Sequence, residues 1–271
     1  MLIAIYFNFM ASRLDIDPEE TTKRITNFIR SYVKKSGTKG CIVGLSSGID
    51  STVTAYLAVK ALGRENVLGL IIPERNLTPA EDVLDATEIA STLNIEFSVV
   101  EIADILNAFF ISIPELVESD LAATGNLKAR IRMCALYYYA NIMNRIVMGT
   151  GNRTELLLGY FTKYGDGGVD IEPLGNLYKT QVRALAKYLE VPHHIIDKTP
   201  TAGLWPGQTD EGELGMSYEE IDTVFLNLLD MDEPIEYLIN RYGIEESAIN
   251  GLMVRIEKNI HKRKVAPTPP K

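Results

Sequence analysis

The amino-acid sequence predicts an α/β fold, a doubly wound parallel sheet flanked by helices, with a helical C-terminal third. Residues 41–45 form a short apolar run without alternation, which is typical of a strand buried on both faces of a parallel sheet. Residues 67–72, 95–100 and 146–148 add three further strands, and segments with helical spacing of apolar residues separate them. Strands that alternate with helices form a parallel sheet with right-handed crossovers.

Composition and charge narrow the function classes. The chain has 271 residues, of which 46% are hydrophobic and 23% charged, so disordered, collagen-like and coiled-coil classes are excluded. A net charge of −9 lacks the broad positive surface of a nucleic-acid binder. Two cysteines, Cys41 and Cys134, are too few for a disulfide framework and fit a reducing compartment. No apolar run reaches the length of a membrane span.

The first helix has clear start and stop signals. Asp17 is in a capping position, Pro18 is at the first helical position and Gly37 ends the helix. Residues 1–16 are an N-terminal extension that lacks the basic region of a signal peptide. The extension is a short strand, a disordered end, or the product of an upstream start codon with Met10 as the true start.

The remaining elements follow in order. A polar turn separates the first strand from a helix that ends at Gly63, and Thr78 with Glu81 predicts a capping box. Helices are then expected over residues 103–113 and 126–146 and from Arg153 onward. Ser217 with Glu220 predicts a second capping box. We expect one domain over residues 1–271, with a flexible tail over residues 265–271.

Two long loops interrupt this pattern, over residues 160–176 and 199–215. The first contains four glycines, and the second is rich in glycine, proline and threonine. Long loops inside a compact domain are usually functional. Both loops are therefore candidates for a binding site.

The turn after the first strand is the most informative site. Its residues are Gly44, Leu45, Ser46, Ser47, Gly48, Ile49, Asp50 and Ser51. Ligands of open parallel sheets bind at the carboxyl ends of the strands, where this turn offers backbone N–H groups, hydroxyls and a helix N-terminus. The turn lacks the lysine of a Walker loop, and Asp50 could hold a Mg²⁺ that neutralises a bound polyphosphate. The alternative is an ordinary serine- and glycine-rich turn with a helix cap.

This stretch resembles the Ser-Gly-Gly-x-Asp-Ser loop of the ATP pyrophosphatases, and later stretches resemble NAD synthetases within that superfamily. The resemblance runs in order over residues 18–264 and is carried by residues 126–133, 149–155, 161–168, 173–174 with 178–183, 200–205, 207–211 with 214–215, and 261–263. It implies a Rossmann-like, adenine-nucleotide α-hydrolase-like fold.

The resemblance also implies a reaction. The carboxylate of deamido-NAD attacks the α-phosphorus of ATP, pyrophosphate leaves, and ammonia then displaces AMP from the adenylate to give NAD. It further implies a cytoplasmic homodimeric ligase that uses ATP as co-substrate and Mg²⁺. We expect free ammonia as the nitrogen source, without a fused glutaminase domain, and no nucleic-acid or membrane partner.

Residue roles are carried over from the matching positions. The resemblance assigns residues 44–51 to the phosphates of ATP and Asp50 with Lys179 to catalysis. The remaining assignments are Thr150, Lys179 and Thr201 to ATP, Asp50 and Glu155 to Mg²⁺, and Arg130, Lys163, Asp170, His261 and Lys262 to deamido-NAD.

Each assignment has a plainer alternative. Glu155 could be a surface helix residue, Lys163 and Asp170 could be turn residues, and His261 with Lys262 could belong to a solvated tail. The resemblance is also imperfect, because the family loop usually has glycine where Ser47 stands and Gly203 replaces a common aspartate. Two alternative functions remain. The chain could be another ATP pyrophosphatase, such as an enzyme that amidates a different carboxylate, or a nucleotide-sensing module that binds ATP without turnover.

Overall fold

Four parallel strands form the sheet that organises the chain. The computed structural model describes residues 14–113 and 120–270. Within these residues the strands are β1 (Cys41–Gly44), β2 (Val67–Ile71), β3 (Glu96–Val99) and β4 (Ile146–Met148). Their order across the sheet is β3-β2-β1-β4, and all pairings are parallel. The predicted doubly wound sheet is therefore confirmed.

Helices connect and follow the strands. The helices are α1 (Pro18–Ser36), α2 (Ile49–Leu62), α3 (Ala80–Thr92), α4 (Ala103–Ser112), α5 (Leu121–Met143), α6 (Arg153–Leu158), α7 (Lys179–Tyr188), α8 (His193–Ile196), α9 (Asp210–Leu214), α10 (Tyr218–Phe225), α11 (Ile235–Tyr242) and α12 (Glu246–Lys258). Shorter 3-10 turns cover Arg64–Asn66 and Ile260–Arg263, and a π-helical turn covers Leu226–Asp230. None of the helices in the described ranges has the length and apolar content needed to span a bilayer.

Local chemistry sets the helix ends. The Asp17 carboxylate accepts from the backbone N–H of Glu20 at 3.0 Å, and Gly37 ends α1 with a φ of 69°. Ser217 and Glu220 form the predicted capping box of α10. The capping box predicted at Thr78 is wrong. Its hydroxyl accepts from the backbone N–H of Glu74 at 2.9 Å instead, so Pro79 precedes α3 without a side-chain cap.

The long fifth helix begins earlier than its apolar spacing predicted. The sequence predicted residues 126–146, whereas α5 starts at Leu121 because the Asp120 carboxylate caps it through the N–H of Ala123 at 2.9 Å. It ends before β4 at Asn144, which adopts a left-handed φ of 52°. The predicted N-terminal extension lies almost entirely outside the described residues.

Helices cover both faces of the sheet. Cys41 and Val43 of β1 belong to one buried cluster, which α1, α2, α3 and α7 complete. Ile42 points the other way, into a cluster that contains Ala140 of α5. Burial on both faces explains why β1 and β2 consist of apolar residues without polar alternation. The helical C-terminal third has its own buried cluster around Tyr178, Phe225 and Leu252.

The strand order creates a switch point between β1 and β4. The chain leaves β1 toward β2 and β3 on one side, and it returns to β4 on the other side. Residues that follow β1 and β4 therefore lie next to each other at the carboxyl edge of the sheet. Ligands of open α/β sheets bind at such a point.

Candidate active site

A cleft of about 940 Å³ opens at this switch point. Residues 44–51, called the phosphate loop below, line its base. Residues 199–208 and parts of the loop that follows α6 also line the cleft. The volume lies in the range of natural ligand sites. Both long loops singled out in the sequence therefore contribute to the cleft.

The phosphate loop is held by its own hydroxyl groups. Ser51 Oγ donates to the carbonyl of Gly48 at 2.9 Å and lies 3.1 Å from Ser46 Oγ. Ser47 is buried and adopts a φ of 61°, the left-handed region that glycine enters without strain. The loop leads directly into the N-terminus of α2, where free N–H groups and the helix dipole favour an anion.

Three charged side chains meet beside the phosphate loop. Lys179 Nζ donates to Asp50 Oδ2 and lies 3.3 Å from Glu155 Oε1. Asn152 Nδ2 donates to Asp50 Oδ1 at 3.0 Å. We call Asp50, Asn152, Glu155 and Lys179 the acid–lysine cluster. The sequence assigned Asp50, Glu155 and Lys179 to one site, and the fold brings them together from α2, α6 and α7.

Glu155 has a second, structural contact. Its Oε2 accepts from the backbone N–H of Asn152 at 3.1 Å, while the Asn152 side chain accepts from the N–H of Glu155 at 3.0 Å. This reciprocal capping box starts α6. It leaves Oε1 directed toward Lys179. The spacing of Asn152 and Glu155 could have revealed this box in the sequence.

Burial perturbs the protonation of the cluster. Burial and the neighbouring charge of Asp50 raise the pKa of Glu155 to about 8. Burial alone lowers the pKa of Lys179, but Asp50 and Glu155 outweigh it, so the pKa stays above its ordinary value and the ammonium is charged. The side chain of Lys179 is 3% exposed, and its Nζ lies 5.0 Å from the centre of the Tyr218 ring. A fixed cation therefore sits between two acids.

A buried aspartate, Asp222, positions this cluster through contacts with residues next to Glu155 and Lys179. Asp222 is fully buried; its Oδ1 accepts from the Thr154 hydroxyl, and its Oδ2 accepts from the backbone N–H of Thr180 at 2.9 Å. The backbone N–H of Lys179 in turn donates to Thr154 Oγ1 at 3.0 Å. Burial raises the pKa of Asp222 to about 6. The sequence analysis missed this residue, since no local pattern marks a contact between α6, α7 and α10.

Two more acids near the cleft were also missed. Glu172 accepts from the backbone N–H of Gly151 at 3.0 Å, and burial raises its pKa to about 8. A Cβ at Gly149 would lie 2.2 Å from Glu172 Oε2, so a side chain at this position would displace the Glu172 carboxylate. Asp210 accepts from the Tyr218 hydroxyl at 2.9 Å and from the Tyr160 hydroxyl at 3.2 Å, and burial raises its pKa.

Other residues assigned by resemblance line the same cleft with distinct contacts. Thr150 and Thr201 both line it. The Thr201 hydroxyl donates to the carbonyl of Gln208 at 2.8 Å and accepts from Gly203 N at 3.1 Å, so it also braces its own loop. Lys262 Nζ donates to the carbonyls of Gly159 at 2.6 Å and Phe161 at 2.8 Å.

The remaining assigned residues do not line this cleft. Arg130 lies on the outer side of α5, where its guanidinium donates to the carbonyl of Lys163 at 3.3 Å. His261 is exposed. Asp170 borders a separate cavity of about 360 Å³, where it accepts from the Tyr137 hydroxyl at 3.2 Å. We call Arg130, Lys163, Asp170 and His261 the outer group.

The chemistry of the cluster fits magnesium. Asp50 and Glu155 supply hard carboxylate oxygens, and Mg²⁺ is usually bound by one or two carboxylates together with substrate phosphates and waters. In the part of the chain that the structure describes, no group of three or more His, Cys, Asp or Glu side chains forms a cage for a metal. A two-carboxylate site that needs substrate oxygens is consistent with both observations.

The fold and the cleft first define a class. A serine- and glycine-rich loop that leads into a helix at the switch point of a parallel sheet is the kind of site at which α/β proteins bind phosphate groups. The protein is thus a nucleotide-dependent α/β enzyme. A family model described as NAD synthase matches residues 21–266, and the chain belongs to this family.

Individual relatives agree with this membership. The chain is 51% identical to an NH(3)-dependent NAD(+) synthetase of Methanosarcina mazei over 94% of its length and 99% of that protein. A relative of the same name from Methanocaldococcus jannaschii is also 51% identical, over 93% of the chain and 96% of that protein. Among solved structures, an NH3-dependent NAD synthetase from Campylobacter jejuni in complex with nitrate matches with a TM-score of 0.79 and 35% identity, over 94% and 100% of the two chains.

A second solved relative carries a different name. A structure titled as NMN synthetase from Francisella tularensis matches with a TM-score of 0.83 and 42% identity, and it covers 94% of this chain and 99% of that chain. Enzymes of the NAD synthase family use ATP to amidate deamido-NAD with ammonia. The chain is accordingly a ligase that forms a C–N bond and yields NAD, AMP and pyrophosphate.

Proposed function

We propose that the phosphate loop and the acid–lysine cluster bind ATP and promote its cleavage between the α- and β-phosphates. The observation that carries this proposal is the meeting of Asp50, Glu155 and Lys179 beside the loop. Thr150 and Thr201 line the same cleft and contact the nucleotide. Negative charge that develops on the phosphates in the transition state is stabilised best by fixed donors and cations.

The reaction proceeds in two steps, adenylation of the carboxylate and then its amidation. An oxygen of the substrate carboxylate forms a bond to the α-phosphorus, while the bond from that phosphorus to the bridging oxygen of pyrophosphate breaks. Ammonia then bonds to the activated carbonyl carbon, AMP leaves with the carboxylate oxygen, and one proton is released. Lys179 holds its charge beside the leaving pyrophosphate, and the phosphate loop orients the triphosphate through its N–H groups.

Asp50 and Glu155 would hold Mg²⁺ in this site. When bound, the ion supplies positive charge to the phosphate oxygens. The raised pKa of Glu155 reflects burial and two close acids, a repulsion that a divalent cation relieves. Lys179 remains between the acids as a second positive charge in the cleft.

The outer group, with Lys262, binds deamido-NAD in a homodimer. Arg130, Lys163 and His261 do not line the cleft of their own chain, and we infer that a partner subunit completes the site in which they contact the substrate. The exposed face of α5 supports an interface, because Tyr138 is 66% and Ile142 is 64% exposed.

A cytoplasmic enzyme that uses free ammonia completes the proposal. Cys41 and Cys134 are both unpaired, as expected for a reducing compartment. The name shared by the Methanosarcina and Methanocaldococcus relatives specifies ammonia as the nitrogen donor. Ammonia rather than ammonium is the nucleophile, so the apparent affinity for ammonium salt should improve as the pH rises.

A product assay tests the reaction. Purified protein is incubated with ATP, Mg²⁺, deamido-NAD and an ammonium salt, and the nucleotides are separated by chromatography. We expect NAD and AMP in equal amounts, with formation of both dependent on ammonium. ADP as the nucleotide product would refute cleavage between the α- and β-phosphates.

Nicotinate mononucleotide is a second candidate substrate. The Francisella tularensis structure, which matches with a TM-score of 0.83, bears the name NMN synthetase. The mononucleotide has the same nicotinate carboxylate as deamido-NAD but lacks its adenylyl half. The ratio of kcat/KM for the two substrates decides between them, and a ratio above one for deamido-NAD supports the principal proposal.

A further inference from the structure

A second lysine, Lys198, contacts the phosphate loop at Ser47, three residues before Asp50. Lys198 Nζ donates to Ser47 Oγ at 2.8 Å, to Asp82 Oδ1 at 2.7 Å and to Asp85 Oδ2 at 2.9 Å. These three contacts connect the phosphate loop, helix α3 and the segment that precedes Thr201. None of the assigned roles uses Lys198, although it lines the cleft beside the loop.

The contacted serine has an unusual backbone. Ser47 is buried, and its φ of 61° lies in the left-handed region, where a side chain is disfavoured and glycine is not. A residue remains in such a conformation only when its surroundings hold it there. The hydrogen bond from Lys198 is the side-chain contact that the structure gives the Ser47 hydroxyl.

The hydrogen bonds of Lys198 argue against a direct role in phosphate binding, because Ser47, Asp82 and Asp85 use all three N–H donors of its ammonium. Asp82 and Asp85 lie one helical turn apart on α3, and together they exceed the single charge of the ammonium. His194 also approaches Asp85, with Nε2 at 3.6 Å from Oδ1. Burial lowers the pKa of Lys198, but its two aspartate partners outweigh burial and keep the amine protonated. The ammonium is therefore neutralised within the protein.

We propose that Lys198 is a positioning residue for ATP, which acts through the Ser47 hydroxyl to hold the left-handed turn of the phosphate loop. The aspartates of α3 fix the ammonium, and the ammonium fixes Ser47. This inference rests on the proposed ATP site, since Lys198 would maintain the conformation of the loop that holds the triphosphate.

Two substitutions at Ser47 distinguish the effect of losing the hydroxyl group from the effect of the left-handed backbone conformation. Ser47→Ala removes the tether and keeps a residue that disfavours the left-handed turn. Ser47→Gly also removes the tether, but glycine adopts this φ without strain. We expect Ser47→Ala to bind nucleotide more weakly than Ser47→Gly, an order that loss of a phosphate contact from the hydroxyl does not produce.

The test is a double-mutant cycle with a non-hydrolysable ATP analogue and Mg²⁺, measured by calorimetry. Lys198→Met should weaken binding by about three- to tenfold in the wild-type background, the effect of one hydrogen bond. In the Ser47→Gly background the same change should have less than about half of that free-energy effect. Lys187→Met, an exposed lysine on α7, is the matched control.

Three results would overturn the proposal: equal effects of Lys198→Met in both backgrounds, no effect in the wild-type background, or Ser47→Gly binding no better than Ser47→Ala. If Lys198→Met fails to fold, Lys198→Arg takes its place in the cycle, because arginine keeps the positive charge beside Asp82 and Asp85 but differs in shape from the ammonium that contacts Ser47. Absence of analogue binding by the wild-type protein would instead refute the proposed ATP site, so the two failures are distinguishable.

Discussion

The acid–lysine cluster and the outer group differ in how completely one chain builds them. Asp50, Glu155 and Lys179 come from three helices, yet their charged atoms are in contact and largely buried. Arg130 and His261 are both exposed, and neither lines the cleft. The comparison supports the proposal that one subunit holds the phosphate site and that two subunits share the site for the second substrate.

The cause lies in the topology of the sheet. Asp50 follows β1 and Glu155 follows β4, and these strands are neighbours, so the switch point brings the two acids together. Arg130 lies on a helix that packs on one face of the sheet, and His261 lies beyond the C-terminal helix α12. Among the described residues of one chain, the contact within this group is the hydrogen bond from Arg130 to the carbonyl of Lys163.

Substitution of Lys179, in the acid–lysine cluster, should have the largest effect on turnover. Lys179→Met should lower kcat by about 10³-fold, because a fixed cation beside the leaving phosphates is removed. It also leaves two buried acids unpaired, which should lower the free energy of unfolding by about 3 kcal/mol in the absence of Mg²⁺. Steady-state kinetics and denaturant unfolding measure the two effects.

Lys187→Met provides the control for this change, since Lys187 is exposed on the same helix. A kcat for Lys179→Met within threefold of wild type would remove Lys179 from the catalytic machinery. A loss of stability without a loss of kcat in the folded fraction would assign Lys179 a purely structural role.

Asp50→Asn should have the next largest effect. The amide keeps the size of the side chain but removes a charged ligand and the anionic partner of buried Lys179, so we expect kcat to fall by about 10²-fold and the melting temperature to fall as well. Glu88→Gln, at an exposed acid on α3 that does not line the cleft, is the comparison variant. Unchanged turnover in Asp50→Asn would remove Asp50 from the proposed metal ligands.

A substitution on the exposed face of α5 tests whether the outer group, unlike the acid–lysine cluster, depends on the dimer. Ile142→Asp places a charge on the exposed apolar face of α5, and we expect the dimer to dissociate at least about tenfold more readily. Activity should fall with dimer content, while binding of an ATP analogue persists in the monomer. Analytical ultracentrifugation and calorimetry measure both, and full activity in a monomer would refute the shared site.

Protonation of Glu155 should couple Mg²⁺ binding to pH. Its pKa of about 8 in the metal-free protein means that the carboxyl carries a proton below this value, and the ion must displace that proton. Apparent Mg²⁺ affinity should therefore fall by up to about tenfold per pH unit below about pH 8 and level off above it. Calorimetry at several pH values tests this, and Glu155→Gln should abolish the dependence.

The sequence predicted the sheet, and the position of residues 44–51 at its carboxyl edge, for a physical reason. The strand Cys41–Gly44 and the turn after it are local patterns, and their place at the edge of a parallel sheet follows from topology. Asp222, Glu172 and Lys198 could not be predicted in this way. Each acts on a residue that is distant in sequence, and contacts of this kind depend on helix packing that no local pattern encodes.

Thr201→Ala should have the smallest effect. Its hydroxyl bonds to the carbonyl of Gln208 and the N–H of Gly203, so its loss loosens the loop that lines the cleft. We expect the KM for ATP to rise by less than about tenfold, with a change in unfolding free energy near 1 kcal/mol. A loss of kcat comparable to that of Lys179→Met would show that the loop contact is not its main role.

A crystal structure with Mg²⁺ and a non-hydrolysable ATP analogue tests the central claim most directly. The account predicts the β- and γ-phosphates on the N–H groups of residues 44–51, with the metal ion bound to Asp50 and Glu155. A triphosphate bound elsewhere in the molecule, with the phosphate loop free of ligand, would contradict it.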